Sequence, residues 1–165
     1  MRALSFLVDN DRFAVDVSLV QEYARGMTVT HVLAAPDSMI GIANLKGKVI
    51  TILSLTVLLG RRKNIFEEEV SDTYSAVIFK SFTSGEDQMG LKIDKPLGLI
   101  DIDDDGISHT SKTIEPEDSF CISGVAEAEG EFYRIIDFYS IVKMFKSDGE
   151  ESADAAENGG VEDEK

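Results

Sequence analysis

The run Asp101-Ile102-Asp103-Asp104-Asp105-Gly106 reads D-x-D-x-D-G, the opening of a calcium-binding loop. Such a loop closes on a bidentate carboxylate at its twelfth position, and here that position is Lys112. Strand-like residues flank the run where helices are required, so a solvated acidic turn is expected and no calcium site. His31 and His109 are the only histidines, and neither has a cysteine beside it, which argues against zinc. The context Thr28-Val29-Thr30-His31-Val32 places His31 on a strand face. Cys121 is alone, so no internal disulfide can form, and its neighbours Phe120 and Ile122 mark it as a small core residue. No nucleophile elbow or Ser/His/Asp order is visible. Gly90, Gly98 and Gly106 are too far apart to cradle a phosphate. The chain is expected to be no enzyme, with no metal and no cofactor.

What remains is a group that can be presented to a partner. Gly41 to Gly60 reads G-I-A-N-L-K-G-K-V-I-T-I-L-S-L-T-V-L-L-G. Ile40 to Ala43 suits a strand, and Asn44-Leu45-Lys46-Gly47 suits a turn whose Asn and Gly tolerate positive φ. Val49 to Leu55 reads as a second strand, buried on both faces. Leu55 to Leu59 closes as about one helical turn, with Gly60 as its stop. The turn therefore holds one cation, Lys46, on a rigid β frame.

Composition narrows the partner. The 165 residues carry a formal charge of −15 and are 43% hydrophobic, enough for a core. An acidic body lacks the basic footprint of a nucleic-acid binder. Arg61-Arg62-Lys63 is the only basic cluster, and its position past a helix end suggests a solvated cap. Ser147 to Lys165 holds eight acids and one base with almost no large apolar residue, so residues 147–165 are expected to be an acidic disordered tail. The longest apolar run, Val49 to Leu59, is too short to span a bilayer, and no signal-peptide pattern is visible. A cytoplasmic protein without direct membrane insertion is expected.

The chain also repeats itself. Gly41-Ile42-Ala43 recurs as Gly124-Val125-Ala126 at an offset of 83, which sets Gly47 on Gly130, Val49 on Phe132, Ile52 on Ile135 and Leu55 on Phe138. A weaker echo relates Ser5 to Val8 and Phe13 to Val15 with Ala76 to Phe79 and Met89 to Leu91. Each half reads as five short strands, near 3–8, 12–17, 19–24, 39–44 and 48–54, then 74–81, 88–93, 97–102, 120–127 and 131–137. Polar turns join the first pair of each half, Asp9 to Arg12 and Thr83 to Asp87. Short helices are expected at Asp37–Met39, Leu55–Leu59 and Phe138–Phe145. Evenly spaced short strands point to an all-β chain of two small barrels, about 1–70 and 71–137, packed on one another around a groove. Val20, Tyr23, Ile42 and Leu91 could line the core or that groove.

With these residues in view, the chain resembles the CheW family of chemotaxis coupling proteins from about Leu4 to Phe145. Gly41 to Val49 is similar to the family's G-V-x-N-L-R-G-x-V. Val20-Gln21-Glu22 matches a frequent V-x-E, Ala35-Pro36 a small-Pro pair, and Ile122 to Ala126 the second-half I-x-G-V-A. The resemblance implies a CheW-like domain over 1–146, made of two interlocked five-stranded SH3-like barrels with a C-terminal helix at about 138–146, possible exchange between the halves included. It implies an adaptor, monomeric when isolated, that joins the regulatory domain of a CheA-type histidine kinase to the cytoplasmic tips of methyl-accepting chemoreceptors in membrane-associated arrays. The candidate receptor-binding residues are Val20, Glu22, Gly41, Asn44 and Lys46, and no kinase-facing residue is singled out.

Lys46 stands where the family usually has Arg, which keeps the charge and loses the planar fork. Glu22 and Lys46 are expected to form an ion pair at the groove mouth. Thr51 and Ser54 replace the family's frequent Pro and Asp, and Pro96 replaces an aliphatic residue and should mark a strand edge. A diverged scaffold of a non-chemotactic signalling array would use the same fold. A small β-barrel enzyme or ligand-binding domain would instead show a closed polar pocket between the barrels.

Overall fold

The computed structural model describes residues 1–67, 71–81, 88–109 and 120–147. The Thr83–Asp87 turn, Lys112 and the acidic segment from 148 onward lie outside these residues. Ten strands run in chain order: β1 (Arg2–Val8), β2 (Asp11–Asp16), β3 (Val20–Thr30), β4 (Met39–Leu45), β5 (Lys48–Leu53), β6 (Thr73–Phe79), β7 (Gln88–Lys92), β8 (Lys95–Asp101), β9 (Ile122–Ala128) and β10 (Glu131–Ile136). Helix α1 spans Leu55–Leu58, and α2 covers 138–147, where the described residues end.

The strands form a closed barrel, β3-β4-β5-β7-β6, and a second five-stranded sheet ordered β8-β1-β2-β10-β9. Advancing every strand of the barrel by five reproduces the order of the second sheet, so the sequence repeat is a repeat of topology. Each half of the chain lends its first two strands to the other half's sheet. The division expected near residue 70 therefore does not follow the sheets: β6 and β7 complete the barrel of β3-β4-β5, and β1 and β2 sit beside β8, β9 and β10. The exchange is sealed by two parallel pairs, β5 with β7 and β2 with β10, while the other pairs are antiparallel.

Burial follows the exchange. One cluster (Ala24, Met27, Val29, Ile40, Ala43, Ile50, Ile52, Tyr74, Ala76, Ile78) fills the barrel, and a smaller one around Ala14, Ile100, Ala126 and Ile135 lies within the second sheet. The largest lies between them and draws Phe6, Phe13 and Val15 from the sheet, Leu53, Val77, Phe79 and Leu91 from the barrel, and Phe138 and Ile141 from α2. Leu91 and Cys121 belong to this core, whereas Val20 and Tyr23 pack on it half-buried. Helix α2 buries Phe138 and Ile141 and half-buries Val142 and Phe145, a three-and-four spacing that gives one apolar face. The Phe138 ring stacks on Phe79 at 3.7 Å between centroids.

Local chemistry sets the connections. Ser54 caps α1 by accepting from Val57 N at 3.4 Å, and Asp137, 83 positions on, caps α2 by accepting from Ser140 N at 3.2 Å. Ser54 and Asp137 thus do the same capping work at equivalent positions of the two halves. After α1, Gly60 N donates to Val57 O and Arg61 N to Thr56 O, the paired bonds of a Schellman stop.

Three expectations need correction. Residues 37–39 form no helix: Met39 N donates to Pro36 O in a turn, and Ser54 N takes the Ser38 carbonyl, which draws the chain straight into β4. Val49 is 51% exposed, so only Ile50 to Leu53 of β5 are buried. Arg61 and Arg62 are no solvated cap, because Arg61 Nη1 lies 2.6 Å from Asp11 Oδ2 and Arg62 Nη1 lies 2.9 Å from Asp9 Oδ2. Arg134 on β10 reaches the same Asp11 oxygen at 3.2 Å. The turn between β1 and β2 is thereby tied to the end of α1 across the junction of the two sheets.

Candidate functional site

The β4–β5 hairpin closes on Lys46 and Gly47, with φ of 53° and 83°. Two successive positive φ values make a type I′ turn, whose twist matches that of the flanking strands. Asn44 Oδ1 accepts from Gly47 N at 3.0 Å and closes the turn from within. The side chain of Lys46 is therefore held outward, 78% exposed, on a backbone with little freedom. Glu22, on β3, meets it: Nζ donates to Oε2 at 3.5 Å. An exposed contact of this length contributes about 0–1 kcal/mol to stability. Its worth lies in presenting both signs of charge side by side.

The five candidate residues do not form one surface. Glu22 and Lys46 touch, and Asn44 stands exposed in the same hairpin. Val20 lies two residues before Glu22, separated from it by a bulge at Gln21, and packs half-buried on the core between the sheets. Gly41 is buried. A Cβ built on it would stand 2.2 Å from Thr30 O, so the glycine lets β4 pass directly beneath the end of β3. Gly124 repeats this arrangement, its would-be Cβ lying 2.9 Å from Ser108 O. Gly41 and Gly124 therefore act through backbone approach and offer no side-chain surface.

The second hairpin of the repeat keeps the geometry and changes the chemistry. Glu129 and Gly130 have φ of 52° and 79°, so the second turn is also type I′, with a carboxylate where the first has an ammonium. Pro96 lies on β8, the outer strand of its sheet, opposite Phe6 at a register shift, as expected of a proline at a strand edge.

Sequence reasoning missed the exposed apolar positions. Val49 on β5 is 51% exposed and Phe132, its counterpart on β10 at the same offset of 83, is 67% exposed. The repeat had already aligned these two residues, and two large apolar side chains at equivalent outward positions are the signal it held.

The remaining chemistry is self-contained. The acidic run folds as a 3-10 turn over Asp104–Gly106, with Asp103 Oδ1 accepting from Asp105 N and the carboxylates of Asp101, Asp103, Asp104 and Asp105 exposed. Among the described residues no three His, Cys, Asp or Glu side chains converge as metal ligands. His31 follows the end of β3 rather than lying on its face, and its Nδ1 meets the Ile40 carbonyl. A cleft of about 240 Å³ opens at the junction, lined by Val8, Asp9, Ser54, Leu55, Thr56, Arg62, Lys92 and Asp94. Its charges serve one another: Arg62 pairs with Asp9, and Asp94 Oδ2 accepts from Asp9 N at 2.7 Å. No helix among the described residues is long and apolar enough to cross a membrane.

Known proteins share this plan. The chemotaxis protein CheW of Klebsiella aerogenes is 27% identical over 124 residues, covering 75% of this chain and 66% of that protein. The crystal structure of the scaffolding protein TtCheW from Thermoanaerobacter tengcongensis superposes with a TM-score of 0.68 at 23% identity, over 82% of this chain and 88% of that one, a likeness of fold. The family model for the CheW-like domain matches residues 2–146, which takes in all ten strands and both hairpins of the repeat. The chain belongs to the CheW family.

Proposed function

We propose that the protein is a non-enzymatic adaptor that couples a CheA-type histidine kinase to the cytoplasmic tips of chemoreceptors, and that it works at membrane-associated arrays while remaining cytoplasmic itself. The observation that carries this reading is the Glu22–Lys46 pair, an exposed cation on a rigid hairpin beside a partly buried anion on β3. Such a pair can steer and select a charged helical tip without turnover, since charge complementarity governs partner choice and encounter rate more than affinity. Glu22, Asn44 and Lys46 form the receptor-facing surface, with Val20 acting through the core on which β3 packs and Gly41 through the approach of β4 to β3. The kinase's own domain of this fold meets apolar surface, for which Val49 and Phe132 are the exposed pair that the repeat sets at equivalent positions.

A binding assay with this protein, the kinase regulatory domain and a receptor-tip fragment tests the assignment. Lys46→Glu places two carboxylates together and should weaken receptor binding at least tenfold, with the fold and kinase binding retained. Equal loss of both partners, or of neither, would contradict it.

A further inference from the structure

The barrel and the second sheet each have a thin seam beside a close-approach glycine. In the first, β3 and β4 share only two paired positions, Val29 with Ala43 and Thr30 with Ile42. In the second, β8 and β9 are not paired as strands, and the segment after β8 meets β9 in the single bridge of Ser108 with Val125. At both seams the close-approach glycine, Gly41 or Gly124, lies under the carbonyl of Thr30 or Ser108. The next residue in each case is a histidine. His31 Nδ1 lies 2.6 Å from the carbonyl of Ile40, the residue before Gly41. His109 Nδ1 lies 2.6 Å from the carbonyl of Ser123, the residue before Gly124.

The two bonds are one device used twice. The intervening segments span 9 and 14 positions, so the loops differ while the bond between imidazole and carbonyl does not. A carbonyl oxygen only accepts, so in both rings Nδ1 carries the hydrogen. We propose that His31 and His109 are latches that close these two seams, and that His31 is a positioning residue for the Glu22–Lys46 pair. Glu22 lies on β3 and Lys46 on the hairpin of β4 and β5. The Val29–Ala43 and Thr30–Ile42 rungs are the strand pairing that joins β3 to β4. The spacing of the two charges is thus inherited from the seam, and the seam is held at its end by His31. The positioning role rests on the receptor-facing reading of this pair; the latch itself does not.

The full chain is labelled for NMR, and His31→Ala, His31→Asn and His109→Ala are compared with it. Both native imidazoles should show the Nδ1–H tautomer. In His31→Ala, amide exchange at 29–30 and 42–43 should quicken at least tenfold while the β4–β5 and β1–β2 ladders keep their protection. Asn carries a side-chain amide donor at the place of Nδ1, and His31→Asn should restore protection. His109→Ala should quicken exchange at 108 and 125 alone. An Nε2–H tautomer, or exchange in His31→Ala equal to the native rate, overturns the latch. Receptor-tip binding is then measured on the same proteins: it should fall in His31→Ala, recover in His31→Asn and be unchanged in His109→Ala. A quickened seam with undiminished receptor binding overturns the positioning role while leaving the latch standing. If Lys46→Glu also binds the receptor tip normally, the receptor-facing reading has failed instead.

Discussion

Gly41→Ala should be among the most damaging single-methyl substitutions in the chain. The added Cβ would lie 2.2 Å from Thr30 O, 2.8 Å from Thr30 C and 2.9 Å from Val29 Cγ1. Side-chain carbons essentially never come within 3.0 Å of such atoms, so β3 and β4 must part at their only rungs. The nearest atoms are backbone and cannot rotate away. Overpacking of this kind costs about 1–3 kcal/mol, and each main-chain bond lost at the seam adds about 1 kcal/mol. The expected loss is about 3 kcal/mol, read as a lower urea midpoint at unchanged slope. Gly124→Ala is the internal control. There the closest atom is Ile107 Cγ2 at 2.6 Å, a side-chain methyl, and the backbone oxygen stands off at 2.9 Å. Its cost should be about half as great, on the same overpacking scale. A Gly41→Ala protein that unfolds within about 0.5 kcal/mol of the native one, or that is more stable than Gly124→Ala, would refute the argument from close approach.

Other expectations follow from the junction and the caps. Phe138→Ala removes a ring that is 2% exposed and stacked on Phe79, and should cost about 3–5 kcal/mol in one cooperative urea transition; two separate transitions would show that the barrels unfold independently. Asp137→Ala should lose about 1–2 kcal/mol by chemical denaturation, more than Ser54→Ala, because the Asp137 carboxylate accepts from the amide and hydroxyl of Ser140 at 3.2 and 2.7 Å with a charge behind both bonds, whereas Ser54 is a neutral cap 3.4 Å from Val57 N. A double-mutant cycle of Arg61→Gln with Asp11→Asn should give a coupling of about 0.5–1 kcal/mol at low salt that shrinks toward zero in molar salt; a coupling indifferent to salt would deny its ionic character.

The strands were legible because their apolar residues alternate and their turns are spelled in residues that accept left-handed backbone. Asn44-Leu45-Lys46-Gly47 announced its hairpin in this way, and the offset of 83 between Gly41 and Gly124 announced a twofold plan. The pair of Glu22 and Lys46 was also legible, through resemblance to the family rather than through spacing. The reciprocal exchange of strands could not be derived from spacing, because periodicity along the chain says which face of a strand is buried and nothing about which strand lies beside it. Arg61 and Arg62 were misread for the same reason, since their partners Asp9 and Asp11 lie some fifty residues away. The histidines carried no signal by type or neighbour. Their common purpose shows only once each is seen beside the glycine of its own half. Residues 37–39 failed differently: the Ser38 carbonyl is taken by Ser54 N, and a tertiary bond decided a local conformation.

The reciprocal loan of two strands by each half governs how the chain can be made. During synthesis β3, β4 and β5 emerge with no β6 or β7 to close them, and the β1–β2 hairpin, which meets β8 along β1, waits for its neighbour along β2 until β10 at 131–136 has been translated. The barrel can close once β7 has been made, but the second sheet cannot be completed before β10, so its long-range pairings form late, with open strand edges exposed meanwhile. A chain stopped before β10 leaves both β2 and β9 without a neighbour that native folding requires. The same interlacing that lets one core serve two barrels therefore makes the unfinished protein a natural client for chaperones, and makes any attempt to express either half alone an invitation to aggregation.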